Sequence, residues 1–186
     1  MKTVLNVFLI ALSWTLFNGT LSKTPSKACL NDFRKYALNA HNVFRNYHRT
    51  PPLKSNISLT TMAQKYANFL AESNLFKHSY SGYGENLARA AFTYSQNINC
   101  RYWAVYLTSQ WYREISLYNF NYPRYYHGTG HFTQIVWKST TQVGIGLAIV
   151  NRIVNNRNAT VLYYVANYLR PGNVRSQFAK NVLRVY

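Results

Sequence analysis

His131 stands between Gly130 and the bulky run Phe132-Thr133-Gln134-Ile135-Val136-Trp137, a place where an imidazole can line a cleft without being swallowed by a core. Upstream lie a second histidine, His78, and two glutamates, Glu85 in GYGEN and Glu114 in WYREI. The chain holds four acidic residues in all, Asp32, Glu72, Glu85 and Glu114. Two of those four in histidine-linked motifs point to work other than surface solvation. Two imidazoles supply neutral nitrogen ligands to a borderline metal such as Zn2+, while carboxylates orient the rings or a water. The same set would suit a metal-activated hydrolytic water. Spacing alone does not bring the four together, because 78 to 131 spans three elements and matches no local zinc motif such as HExxH. On the residues alone, His78 reads as a loop surface residue and Glu114 as an exposed helix residue.

The elements that must position them follow from periodicity. Residues 31–47 read as a helix capped by Asn31 or Asp32, with Phe33, Tyr36, Ala37, Ala40 and Phe44 at helical spacing. Thr50-Pro51-Pro52 ends it. A second helix fits 58–73, with Leu59, Met62, Ala63, Tyr66, Leu70 and Ala71 as its buried stripe, and a third fits 97–116. Gly82 and Gly84 mark a turn into a short strand at 85–91. The apolar runs 143–150 and 161–168, parted by the polar stretch 151–158, predict an antiparallel hairpin. The fold class expected is α+β, a layered sandwich.

Several motifs stand in order: HNVFRNYHRTPPL at 41–53, AQKYANFLA at 63–71, KHSYSGYGENLA at 77–88, SQWYREI at 109–115, GHFTQIVW at 130–137 and VANYLRPGNV at 165–174. Together they resemble the CAP superfamily, the cysteine-rich secretory, antigen 5 and pathogenesis-related-1 proteins, across about residues 30–175. The resemblance implies an α-β-α sandwich with a small antiparallel sheet between helices. It also implies that His78, Glu85, Glu114 and His131 converge on one cleft, with His78 and His131 as metal ligands. No cofactor is required by this reading. Ala166 stands where many relatives carry a cysteine.

The segment Tyr118-Asn119-Phe120-Asn121-Tyr122-Pro123-Arg124-Tyr125-Tyr126 holds five aromatics in nine residues. In several CAP proteins this position is a sterol-binding loop, which makes Tyr118, Phe120, Tyr122 and Tyr125 the candidate lipid-binding residues here. The spacing departs from that pattern, since the next aromatic place is Gly128. The other reading of these rings is packing of the loop onto the core. As for turnover, Glu85 and Glu114 are the carboxylates an enzyme would use. No nucleophile is assigned, because nothing places Ser139 or Thr133 beside a histidine.

Residues 1–22 read as a secretory signal, with Lys2, an apolar run from Val4 to Phe17 and small residues near Ser22. Residues 23–186 then form one domain, long enough for a proper core. Cys29 and Cys100 are the two cysteines. In an oxidising compartment they can pair with each other, although unpaired or intermolecular thiols remain open from sequence. Asn56-Ile57-Ser58 and Asn158-Ala159-Thr160 are glycosylation sequons in a secreted chain. The formal charge of +17 suits anionic membrane or glycan surfaces. Scattered cations with no basic stripe argue against nucleic acid. The expected work is extracellular binding of a sterol or fatty acid. A metal-dependent hydrolase or a signalling ligand for an extracellular protein receptor are the alternatives.

Overall fold

The computed structural model describes residues 25–95 and 97–186, so the leader expected at 1–22 lies outside the described residues. Helix α1 spans Lys27–Tyr47, β1 Lys54–Ser55, α2 Ile57–Ser73, β2 Gly84–Thr93 and α3 Cys100–Tyr112. A 3-10 turn, Arg113–Leu117, leads through the aromatic loop to α4, Gly130–Ile135. Strands β3, Gln142–Val154, and β4, Arg157–Leu169, precede the short α5, Phe178–Asn181. The sheet order is β1-β3-β4-β2, with β1 parallel to β3 and the other pairs antiparallel.

Three helix starts are set by side-chain caps. Ser26 Oγ accepts from Cys29 N, Asn56 Oδ1 from Leu59 N and Asn99 Oδ1 from Tyr102 N. The first corrects the expected cap at Asn31 or Asp32, and the third delays α3 from 97 to 100. In each case a short polar side chain satisfies an amide that the helix leaves without an internal acceptor.

The polar stretch 151–158 is mostly strand rather than loop. Asn155 and Asn156 alone make the turn, at φ +50° and +60°. A two-residue hairpin turn needs both central residues left-handed, and asparagine tolerates that conformation well. The strands around it therefore run 13 residues each.

Central strand β4 is buried on both faces. Leu162, Tyr164, Ala166 and Tyr168 pack with Phe33, Ala37 and Trp111 of α1 and α3. Val161, Tyr163 and Val165 pack with Ala63, Ala67 and Leu70 of α2. The alternation gives an α-β-α sandwich, as expected. Helix α2 sits directly on the backbone of β3: a Cβ on Gly144 would lie 2.1 Å from the Leu59 carbonyl carbon, and one on Gly146 2.3 Å from that of Ala63.

Two further devices join the layers. Cys29 and Cys100 are bonded to each other, with Cα atoms 5.4 Å apart, fixing the start of α1 to the start of α3. Arg45 is fully buried and donates to the carbonyls of Pro51, Ile135, Trp137 and Thr140 at 2.7–2.9 Å. Burial lowers its pKa to about 10, so it keeps its charge at neutral pH.

Candidate functional site: a histidine-glutamate cleft

His78 and His131 are each held by one carboxylate. His78 lies in the loop between α2 and β2, and its Nδ1 is 2.8 Å from Glu85 Oε1. The same oxygen accepts from Ser79 N at 2.9 Å, which fixes the loop to β2. The Glu85 side chain is 5% exposed, against 53% for His78.

Glu114 does more. Its Oε1 lies 2.6 Å from His131 Nδ1, while Oε2 accepts from the backbone amides of His131 and Phe132 at 2.9 and 3.1 Å. One carboxylate from the 3-10 turn therefore both starts α4 and aims the ring that α4 carries. Trp111 stacks on that ring at 5.9 Å and 13°. Asn86 Nδ2 donates to the His131 carbonyl at 3.1 Å. Below, Gln134 is wedged where β2 and the last turn meet: its Oε1 accepts from Gly172 N at 2.7 Å, and a Cβ on Gly84 would lie 2.2 Å from that oxygen.

All four predicted side chains line one cavity of about 340 Å3, joined there by His127, Tyr125 and Asn173. His127 is a third imidazole that the motifs do not include; its closeness to Gly128-Thr129-Gly130 in sequence is the one signal that marks it. Asn173 is braced by Thr133 Oγ1 and Gly130 O, at 2.5 and 3.0 Å. It lies in the motif VANYLRPGNV, but no residue type or spacing there marks it as a lining residue of the cleft.

With Nδ1 of both rings facing carboxylates, Nε2 is the nitrogen left as the neutral donor. Neither Nε2 has a hydrogen-bond partner among the described residues. Among those residues, no three His, Cys, Asp or Glu side chains are grouped closely enough to form a ready-made metal cage. What the two rings bring to the cavity is a pair of neutral imidazole nitrogens, the donor type that a borderline cation accepts.

The aromatic loop corrects one expectation. Tyr118 is 6% exposed and packs against Phe120, Tyr126 and Phe132, so its ring belongs to the core. Burial pushes its hydroxyl up to about 12. Phe120 is half-buried against His48 and Phe132. Tyr122 and Tyr125 are open, at 70% and 53%. The rings at the two ends of the loop are packed and those in its middle are open, which composition could not separate.

Among the described residues, neither hydroxyl considered as a nucleophile reaches a histidine. Thr133 Oγ1 bonds Thr129 O and Asn173 Oδ1. Ser139 is engaged through its amide by Asn181 Oδ1. The remaining histidines are structural. Buried His41 bridges Ala37 O and the Tyr168 hydroxyl at 2.7 and 2.8 Å, and His48 bridges Leu183 O and the Tyr112 hydroxyl.

The sequence profile of the Cysteine-rich secretory protein family, CAP, matches residues 38–168. The chain belongs to the CAP family. It is similar to the human Golgi-associated plant pathogenesis-related protein 1, at 36% identity over 163 residues, covering 84% of this chain and 96% of that protein. It is also similar to Protein PRY2 of Saccharomyces cerevisiae, at 35% over 153 residues, covering 82% of this chain but 41% of the yeast protein. Among solved structures, BmVAL-1 superposes with a TM-score of 0.62 at 21% identity, over 88% of this chain and 87% of that one. The crystal structure of NaASP2 with Zn2+ gives 0.62 at 18%, over 88% and 90%. At these identities the structural likeness speaks for the CAP fold alone. No helix among the described residues is long and apolar enough to cross a membrane.

Proposed function

We propose that this CAP protein is secreted and works by binding, with the His78–His131 cleft as a divalent-cation site. The carrying observation is that each ring has its Nδ1 on a carboxylate, the arrangement that orients Nε2 toward a metal and raises its basicity. A bound Zn2+ would lend Lewis acidity to whatever completes its shell. Neither Thr133 nor Ser139 reaches an imidazole, so hydrolysis at this site would have to use a metal-held water rather than a side-chain nucleophile. Titration calorimetry with Zn2+ tests the site: one ion should bind per chain and binding should vanish in His131→Ala. Equal affinity in that variant would remove the site from the cleft.

A lipid-binding role is supported by the open rings of Tyr122 and Tyr125, the latter also lining the cleft. Labelled cholesterol or fatty acid should bind saturably, and Tyr122→Ser with Tyr125→Ser should lose that binding. Failure of both ligands would turn the search to protein partners. Asn158 is exposed beside the hairpin turn and is the glycan acceptor of this reading. Asn56 is engaged at both ends of its amide, by Leu59 N and Gln142 Oε1, and should be occupied less. Glycopeptide mapping of the secreted protein decides between them.

A further inference from the structure

Helix α2 presents Met62, Lys65, Tyr66 and Phe69 along one stripe, spaced i, i+3, i+4, i+7. Across from it run Ser79 and Ser81 of the loop before β2, and between them lies Asn167 of β4. These residues enclose a groove of about 320 Å3, at the small end of ligand pockets. Tyr66 holds the loop by donating to Lys77 O at 2.6 Å and stacks on Phe69 at 5.8 Å. Phe69 is nonetheless 45% exposed, an aromatic wall left facing solvent.

The floor of this apolar groove is polar and incomplete. Asn167 is 2% exposed, yet its Oδ1 is buried without a hydrogen-bond partner among the described residues. Ser79 Oγ is buried and unpartnered in the same sense. Buried polar atoms are ordinarily paired, so two orphans under an apolar stripe call for a group that donates to one and accepts from the other. A hydroxyl does both. Glu85 is the cross-strand neighbour of Asn167, and its Oε2 is also buried without a partner among the described residues, so a further acceptor lies beside this floor. A carboxylate head would bring more acceptors and the wrong sign. Its one attraction is Lys65, an exposed residue of the groove wall rather than of the buried floor.

We propose that the groove binds a small uncharged amphiphile, its apolar body against Met62, Tyr66 and Phe69 and its hydroxyl head between Asn167 Oδ1 and Ser79 Oγ. The groove shares no lining residue with the His78–His131 cleft and lies on another part of the chain from Tyr122 and Tyr125. The two sites meet only at Glu85, which holds His78 on one side and accepts from the Ser79 amide on the other.

The chain has two methionines, Met1 and Met62, so a 13C-methyl methionine label reports this site with little overlap. Titrating 1-decanol should shift the Met62 methyl resonance saturably, with decanoate binding about tenfold more weakly. Ser79→Ala and Asn167→Leu should each erase that preference, and Phe69→Ser should weaken the alcohol. Should Asn167→Leu disturb the central strand, Ser79→Ala on the loop carries the decision. The proposal is overturned by the absence of a saturable shift, as when water alone satisfies the floor. It is equally overturned by equal binding of alcohol and acid, or by a preference that survives Ser79→Ala. The shift should persist in His131→Ala whatever that variant does to Zn2+.

Discussion

Glu114 joins two roles in one carboxylate, capping the amides of His131 and Phe132 with one oxygen and holding the His131 ring with the other. Glu114→Gln keeps the shape but replaces one acceptor oxygen by a donor. We expect Zn2+ affinity to fall about 10–100-fold, the usual result of losing a partner behind a metal-ligating histidine. Calorimetry at fixed pH reads it, and an unchanged affinity would show that the carboxylate does not orient the ring. Glu114 and His131 were recognisable only by motif, because their contact is made in space by a turn and a six-residue helix. Tyr118 shows the reverse failure. Its neighbours in the loop are equally aromatic, and only Phe132 behind it decides that this ring is core.

At the scale of elements, α2 rests on bare backbone. Gly146→Ala would place a methyl 2.3 Å from the Ala63 carbonyl, so α2 must lift off β3. A loss of about 3 kcal/mol in unfolding free energy is expected, and urea denaturation checks it. A cost near zero would mean that the seat of α2 is softer than drawn. The three long helices and the main strands were legible from periodicity. Helix α4 was not, since six residues carry too little repeat, and its amides depend on a glutamate 16 positions upstream of its first residue. The hairpin was legible in kind but not in length: its outer ends are solvated, and polar residues there resemble a loop.

Across the whole molecule, acid and reduction test different parts of the fold. His41 is fully buried and its pKa is lowered to about 4, by desolvation above all, with Arg45 adding to the effect. His48 is lowered too, mainly by burial. Above pH 6.5 both rings are neutral whether the chain is folded or not. As pH falls below that, the unfolded chain takes up protons that the folded one refuses, and stability drops toward pH 4 by about 3 kcal/mol for His41. Denaturation midpoints at pH 7, 5.5 and 4 should fall in that order, and His41→Gln should flatten the trend if it folds. The bond between Cys29 and Cys100 spans 71 positions, so Cys29→Ala with Cys100→Ala should cost about 4 kcal/mol on the loop-entropy model. Wild-type protein in reductant should match that variant; a mismatch would trace its loss to packing. The pairing was open from sequence, because two thiols give no spacing pattern, and only the meeting of two helix starts settles it.

Arg45 has a last consequence. A guanidinium neutralised by four carbonyl dipoles, rather than by an acid group, has no proton-labile counterpart to lose and no exposed partner for salt to shield. The joint it makes between α1 and the end of the His131 helix is therefore indifferent to ionic strength. The mount of the cleft is thus fixed by backbone acceptors alone: raising the salt should leave α1 and α4 in register, whatever it does to charge pairs at the surface.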